Sequence, residues 1–320
     1  MFWHAGNLGD SWTYLWVTIG IWLLSIFARV FWYNRASNFR QPYWFQGFDA
    51  EVNLLSGNVT KIVIHLVDDI LVRPGQHFFL RFPSISPFDS HPFTVAWMNI
   101  EDGIDKKPAV VPTLTFFARS REGFTANLSG KVEKYGRESL SVWVDGPYGG
   151  IDAKLEAKYD QAVLIAGGIG ITGCLPWLQH FVHCCRTDGD HTQLSSVKLV
   201  WVVHESSHIE WAGPYIQSLS ESAGGLLEIE IHCSTLANEV DSSVLSKADS
   251  VDLEKAGSAS KETMSATAPS AWQPLPGRPR MESITDSVTG GRVVVIGEYT
   301  LSLRIVAIPA NQIRLWANQS

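Results

Sequence analysis

Ala162-Val-Leu-Ile-Ala-Gly-Gly-Ile-Gly-Ile-Thr-Gly-Cys-Leu-Pro176 decides how this chain folds. Residues 162–166 form a short continuous apolar run, the pattern of a strand buried on both faces. Gly168-Ile-Gly-Ile-Thr-Gly173 then fits G-x-G-x-x-G and opens a helical stretch over 175–185. Backbone amides in such a loop can meet a pyrophosphate at the helix N-terminus. Alone, the pattern is equally a tight strand-to-helix turn that needs glycine. Further strand runs at 197–203, 226–232 and 292–296 complete a βαβ grammar, so residues 151–320 read as an α/β nucleotide-binding domain. Glu205 follows the 197–203 run, beyond the ~20 residues usual for a ribose-binding acid.

Upstream the rhythm differs. Six β-rich runs at 50–55, 59–66, 77–82, 93–97, 113–118 and 140–144 are separated by Gly, Pro and Asn, predicting a small antiparallel barrel or sandwich over 41–150. Between 236 and 272 the composition turns to Ser, Ala, Lys, Glu and Asp, which cannot bury enough apolar area to offset ordering entropy. A disordered insertion in a surface loop is expected there.

The first 40 residues are different again. No charged residue lies between Asp10 and Arg29, and six of the 13 Trp fall within the first 44 residues. From Ser11 to Tyr33 the run reaches the ~20 residues that cross a bilayer, with aromatic residues where interfacial belts sit. One transmembrane helix is expected. Arg29, Arg35 and Arg40 follow it and no basic residue precedes it, which predicts the N-terminus outside and the bulk of the chain in the cytosol. The four Cys then read as reduced, buried thiols, and a net charge of −7 argues against a nucleic-acid partner. His180 and His183 stand at i, i+3 without a third ligand at suitable spacing, so they read as helix surface and no metal site is predicted.

Several short motifs occur in one order: Pro74-Gly-Gln-His77, His91-Pro-Phe-Thr94, Arg121-Glu-Gly-Phe-Thr125, Gly146-Pro-Tyr-Gly149, and Ala166-Gly-Gly-Ile-Gly-Ile-Thr172 before Leu175-Pro176. In this the chain resembles the ferric reductase and NADPH oxidase family of membrane flavocytochromes, and most of all the fungal ferric-chelate reductases. The resemblance implies a ferredoxin reductase-like pair of domains, a β-barrel binding FAD and an α/β domain binding NADPH. It implies that His91, Pro92, Phe93 and Thr94 lie along the flavin, and that Gly123, Phe124 and Thr125 approach the FAD pyrophosphate. Gly146, Pro147, Tyr148 and Gly149 would line the cleft between the domains. Gly167, Gly168, Gly170 and Thr172 would lie under the NADPH pyrophosphate. Hydride transfer needs stacked rings in register rather than an acid–base pair, so no catalytic side chain is expected.

The family passes electrons through haems held by His pairs on several membrane helices. A single helix with only His4 near one end cannot cage a haem. The resemblance therefore implies the C-terminal part of a longer protein, with haem only in the remaining membrane portion or in a haem-bearing partner. It further implies a metal chelate (Fe3+ or Cu2+) as terminal acceptor and a role in metal uptake at the plasma membrane. A superoxide-producing oxidase, or a non-catalytic membrane-anchored remnant, are the alternatives. The family's Cys-Gly-Pro-like motif after the final strand is replaced here by Gly297-Glu298-Tyr299, and His204 and Arg278 are the candidates for reading a 2′-phosphate.

Overall fold

The computed structural model describes residues 9–31, 47–66, 70, 72–87, 89–99, 113–134, 136–150, 154–187, 192–236, 273–280, 284, 291–299 and 302–309; for 9–11, 28–31, 298–299 and 302–309 this is the backbone alone. The expected insertion at 236–272 lies outside them but for its first residue.

Helix α1 (Gly9–Phe31) forms where the apolar run predicts it. Among the described residues, however, no helix is long and apolar enough to cross a membrane. Trp, Tyr, Thr, Ser and Gly interrupt its aliphatic run. The transmembrane span expected over 11–33 is not borne out. Trp12, Tyr14, Trp16, Ile21, Trp22 and Leu24 are each 60% or more exposed, and they point in all directions around the helix.

The barrel consists of β1 (Phe48–Leu55), β2 (Val59–His65), β3 (Gln76–Arg81), β4 (His91–Thr94), β5 (Trp97–Asn99), β6 (Thr113–Arg119) and β7 (Arg137–Gly149). Their order is β4-β3-β7-β1-β2-β6-β5, antiparallel throughout. The terminal members β4 and β5 are successive halves of one bent strand, so the sheet closes on itself. At the bend, the Val95 amide donates to the Gln76 carbonyl (3.1 Å) and the Ala96 amide to Thr115 (2.9 Å). Alternation does the rest: Val52, Ile62, Ile64, Phe78, Leu80, Leu114, Phe116 and Val142 all point inward and are almost fully buried. Helix α2 (Phe124–Glu133) adds Phe124, Leu128 and Val132 to the same core. Each such side chain contributes roughly 1.5–3 kcal/mol by leaving water.

The second domain is a six-stranded sheet ordered β11-β10-β9-β8-β12-β13. It comprises β8 (Gln161–Gly167), β9 (Ser196–Val203), β10 (Leu227–Cys233), β11 (Leu275–Pro276), β12 (Arg292–Tyr299) and β13 (Ser302–Pro309). All neighbours are parallel except β12 and β13, which form an antiparallel pair at the edge. Ala162, Leu164, Leu199, Trp201, Val294 and Ile296 share one sheet face with helices α3 (Ile171–Thr187) and α4 (Gly213–Ser222), around Trp177 and Phe181. Lys198 points to the opposite face, where Glu228 (3.0 Å) and Glu230 (2.6 Å) hold its ammonium. Burial alone pulls that ammonium down, but the hydrogen bonds from Glu230 and Glu228 outweigh it and its pKa is raised. The pairing is what lets a cation sit in a buried strand.

The expected strands are thus present, except that the 93–97 run is divided at Val95-Ala96 between β4 and β5, and β13, β11, α2 and α4 are added. Cys174 and Cys233 are buried as expected, whereas Cys184 and Cys185 are only half-buried, because the C-terminal turns of α3 reach the domain surface.

Candidate functional site

Strand alternation sorts the β4 motif into two sides. His91 and Phe93 oppose the inward-facing Leu80 and Phe78, whereas Pro92 and Thr94 oppose Phe79 and His77. The His91 ring stacks on Phe124 with centroids 4.3 Å apart and planes at 24°. Phe93 (6.3 Å) and Phe82 (6.0 Å) complete an aromatic cluster around Phe124. Phe124 is the first residue of α2, directly after Gly123. The motifs around 91 and 123 are therefore one site, although 30 residues separate their first members.

Polar groups there point to a ligand. Nε2 of His91 is buried without a hydrogen-bond partner, and so is Nε of Arg81 at the end of β3. Gly123 caps α2 with φ +65 and offers no side chain to the first amides of the helix, and a Cβ added to it would meet nothing within 4 Å. Bare helical amides facing open space favour an anion. Thr125 is less free than expected: its hydroxyl accepts from the Arg121 amide at 3.1 Å and donates to the Glu122 carbonyl at 3.4 Å, which shapes the turn.

On the neighbouring strand, Gly146-Pro147-Tyr148-Gly149 closes β7, with a cis peptide before Pro147. Gly146 packs so close to Phe78 that a Cβ would stand 2.6 Å from its ring. The Tyr148 hydroxyl donates to Asp145 Oδ1 at 2.7 Å, and its ring meets Phe79 edge-on at 5.6 Å and His77 at 6.1 Å. His77, Phe79 and Tyr148 make a polar-edged aromatic platform on the outer face of the barrel. His77 and Phe79 fall in the strand expected over 77–82, but neither was assigned a part in the site; the legible signal was their i, i+2 spacing in a strand whose alternate residues are apolar.

In the second domain the chain leaves β8 at Gly167, makes a short helical turn (Gly168–Gly170) and enters α3. Gly168 has φ +53, and neither Gly167 nor Gly168 has a neighbour within 4 Å of an added Cβ. Trp201 anchors the loop from beneath by donating Nε1–H to the Gly168 carbonyl at 2.9 Å. Gly170 and Thr172 are buried and serve the packing of the turn. The open backbone thus belongs to 167–168. Glu205 stands exposed before the turn Ser206–Trp211. His204 follows β9 and bonds Ser234 Oγ (3.2 Å), while the Gly277 amide just before Arg278 donates to Cys233 (2.9 Å). Both candidate basic residues therefore lie at the C-terminal edge of the sheet, where α/β domains bind ligands. At the same edge, Gly297 and Glu298 of β12 lie in register with Ile165 and Ala166.

The two domains are docked. Gln179 of α3 donates Nε2–H to the Met98 carbonyl (2.6 Å) and accepts from the Met98 amide (3.4 Å). Trp97 packs on Tyr215 of α4 at 4.9 Å, with Lys61 over the same ring at 5.1 Å. At Ser56, the amide donates to Glu210 (2.5 Å), the hydroxyl to the Ser207 carbonyl (2.9 Å), and the carbonyl accepts from Trp211 Nε1–H (3.0 Å). Beside it Gly57, at φ +64, leaves no room for a Cβ against His208, which stacks on Trp211 at 4.3 Å. None of these docking residues was singled out from sequence. Gln179 left a trace, as an amide among Leu175, Leu178, Phe181 and Val182.

Comparison with known proteins agrees with this geometry. Residues 45–152 match the family description "FAD-binding domain" and residues 159–297 match "Ferric reductase NAD binding domain". The chain is 32% identical over 212 residues to the "Probable cell surface ferric reductase kap2" of Aspergillus oryzae, covering 66% of this chain and 27% of that protein. It is 27% identical over 224 residues to the "Ferric/cupric reductase transmembrane component 7" of Saccharomyces cerevisiae, covering 69% of this chain and 32% of that one. Human "NADPH oxidase 5" is 25% identical over 287 residues, covering 74% and 36%. The chain thus spans about a third or less of the length of these relatives. A ferredoxin NADP+ reductase from Neisseria gonorrhoeae, solved with FAD and NADP, aligns over 85% of this chain and 89% of its own at 13% identity and TM-score 0.48.

Proposed function

The chain belongs to the ferric reductase and NADPH oxidase family of oxidoreductases, and on that premise we propose that it is the electron-entry part of a ferric-chelate reductase. The observation that carries this reading is the bent strand of β4 and β5. Its first half holds the His91-Pro-Phe-Thr94 motif, and its second half is clamped by α3, whose N-terminus bears the Gly167–Gly168 amides. One rigid connection of four residues, Val95 to Met98, joins the flavin end of the barrel to the dinucleotide domain. That is the positioning task hydride transfer sets, and it explains why no acid–base pair is required.

FAD fits the barrel residues: the His91–Phe93–Phe124 cluster supplies an apolar wall, and the open amides after Gly123 supply a pyrophosphate seat. When bound, FAD supplies the capacity to take two electrons from NADPH and release them one at a time. The chain's own part is to bind and align. Tyr148 and Phe79 cover the platform at the cleft, Asp145 holds the Tyr148 hydroxyl, and the 167–168 loop receives the NADPH pyrophosphate. His204 and Arg278, both at the C-terminal edge of the sheet, would receive a 2′-phosphate in this reading.

The acceptor side rests on the relatives. A metal chelate is the substrate in this reading, since the relative at 32% identity is named a ferric reductase. Haem, metal uptake and a place at the plasma membrane are carried over as parts of the same proposal. The exposed Trp, Leu and Ile side chains of α1 need an apolar surrounding, which membrane lipid or haem-bearing helices would supply. The test is the absorption spectrum of the purified chain. A flavin band that bleaches on adding NADPH supports the reading; a colourless protein, or a band indifferent to NADPH, overturns it. Superoxide release in preference to Fe3+-chelate reduction would favour the oxidase.

A further inference from the structure

Glu156, His180 and Cys184 converge on the half-buried surface of the dinucleotide domain, apart from the residues assigned to either nucleotide. His180 and Cys184 stand one turn apart on α3, so both project from the same helix face. Glu156 arrives from the turn that leads into β8. His180 Nε2 lies 3.2 Å from Glu156 Oε2, Cys184 Sγ lies 3.7 Å from His180 Nε2, and all three groups bring one ligand atom within 4.8 Å of the others.

The His180–Glu156 and Cys184–His180 separations are close to those of a coordination polyhedron. Zinc–nitrogen and zinc–oxygen bonds of ~2.0–2.2 Å and zinc–sulfur bonds of ~2.3 Å at tetrahedral angles put ligand atoms about 3.3–3.7 Å apart. The donor set, one thiolate, one imidazole and one carboxylate, selects a borderline-soft ion over Ca2+ or Mg2+, which require oxygen cages. The ligands are also held before any ion arrives. The Glu156 carbonyl accepts from the Gln193 amide at 2.9 Å, and the Cys184 carbonyl accepts from the Thr192 hydroxyl at 3.5 Å. We propose that Glu156, His180 and Cys184 form a three-ligand site for Zn2+, with the fourth position open to water.

Such an ion neutralises the carboxylate and thiolate and staples the segment before β8 to α3. His180 adjoins Gln179, the residue that clamps Met98 of the barrel, so the staple stiffens the helix at its docking point. Its role is structural, and it stands or falls independently of the reductase reading.

The experiment uses the purified full chain, reduced, freed of metal by chelation, and titrated with Co2+ as a spectroscopic stand-in for Zn2+. One Co2+ per chain is expected, with a thiolate-to-cobalt charge-transfer band and the strong visible bands of a tetrahedral ion. Cys184→Ser should abolish the charge-transfer band, and His180→Ala should weaken binding by about 100-fold or more. Cys185→Ser, which removes the adjacent thiol, should leave the spectrum unchanged. A second readout needs no variant: stoichiometric Zn2+ should slow iodoacetamide alkylation of Cys184 by about tenfold or more. Cys184 alkylation indifferent to Zn2+, cobalt binding unaffected by both Cys184→Ser and His180→Ala, or loss of the band in Cys185→Ser would overturn the proposal.

Discussion

The side-chain amide of Gln179 closes a two-way hydrogen-bonded ring with the backbone of Met98, donating at 2.6 Å and accepting at 3.4 Å. One side chain thereby satisfies both polar groups of a barrel residue at the domain boundary. Replacing it by Leu leaves those groups unpaired in a part-buried place, at a cost of about 1–3 kcal/mol. Flavin reduction by NADPH, followed by stopped flow, should slow by about tenfold or more while FAD content stays the same. An unchanged rate would show that this contact does not govern alignment.

Gly168→Val separates dinucleotide binding from folding. Its Cβ would meet no neighbour, so the cost to the fold is the left-handed backbone strain alone, ~1–2 kcal/mol. A pyrophosphate approaching the open amides would meet the new side chain. The KM for NADPH should rise at least about tenfold, one such contact being worth over 1 kcal/mol, with FAD retained. Simultaneous loss of FAD would contradict two separate seats. Gly170 is buried, and substitution there would damage packing instead.

His91→Leu keeps an apolar side chain against Phe124 but removes the buried ring nitrogen that has no protein partner. FAD affinity should fall by about 5- to 100-fold, the worth of one or two buried hydrogen bonds, with the melting temperature of the flavin-free protein nearly unchanged. Equilibrium dialysis against FAD and thermal melting of the apoprotein distinguish this from a packing role, in which the second would fall and the first would not.

His208 makes docking pH-dependent. Burial holds its imidazole below the ordinary 6.5; His204 and Arg119 push the same way, while Glu205 and Glu210 oppose them. Below 6.5 the unfolded chain takes up a proton that the folded one resists. This contribution to stability is therefore complete above 6.5 and is lost as pH falls through and below that value. Melting temperature should drop between about pH 7 and about pH 5, and His208→Gln should flatten that part of the profile. An identical slope in the variant would sink the assignment.

Much of the fold was legible because its signals are local. The apolar run 162–166 and the glycines after it specify a buried strand and a tight entry to a helix, and β8, the loop and α3 form there. Alternation placed five of the barrel strands within a few residues. Helix α2 was not read, because Phe-Thr-Ala-Asn-Leu-Ser-Gly carries weak helix formers and is held by Phe124, Leu128 and Val132 in the barrel core. The N-terminal apolar run marks helix α1, but aromatic and hydroxyl residues interrupt its aliphatic stretch, and the span expected from it is not borne out among the described residues.

The sequence by itself determined the two domains, the glycine loops and the motifs that identify the family, since each depends on neighbours a few residues apart. Only the tertiary structure decided which residues meet. It joined His91 to Phe124, Gln179 to Met98, Ser56 to Trp211, and Glu156 to His180 and Cys184. Those pairs are set by barrel closure and by the parallel crossover through α3, which bring together side chains 24 to 155 residues apart. Spacing along a chain carries no record of that closure, because the energy that selects it is spread over two hydrophobic cores rather than written in any one segment.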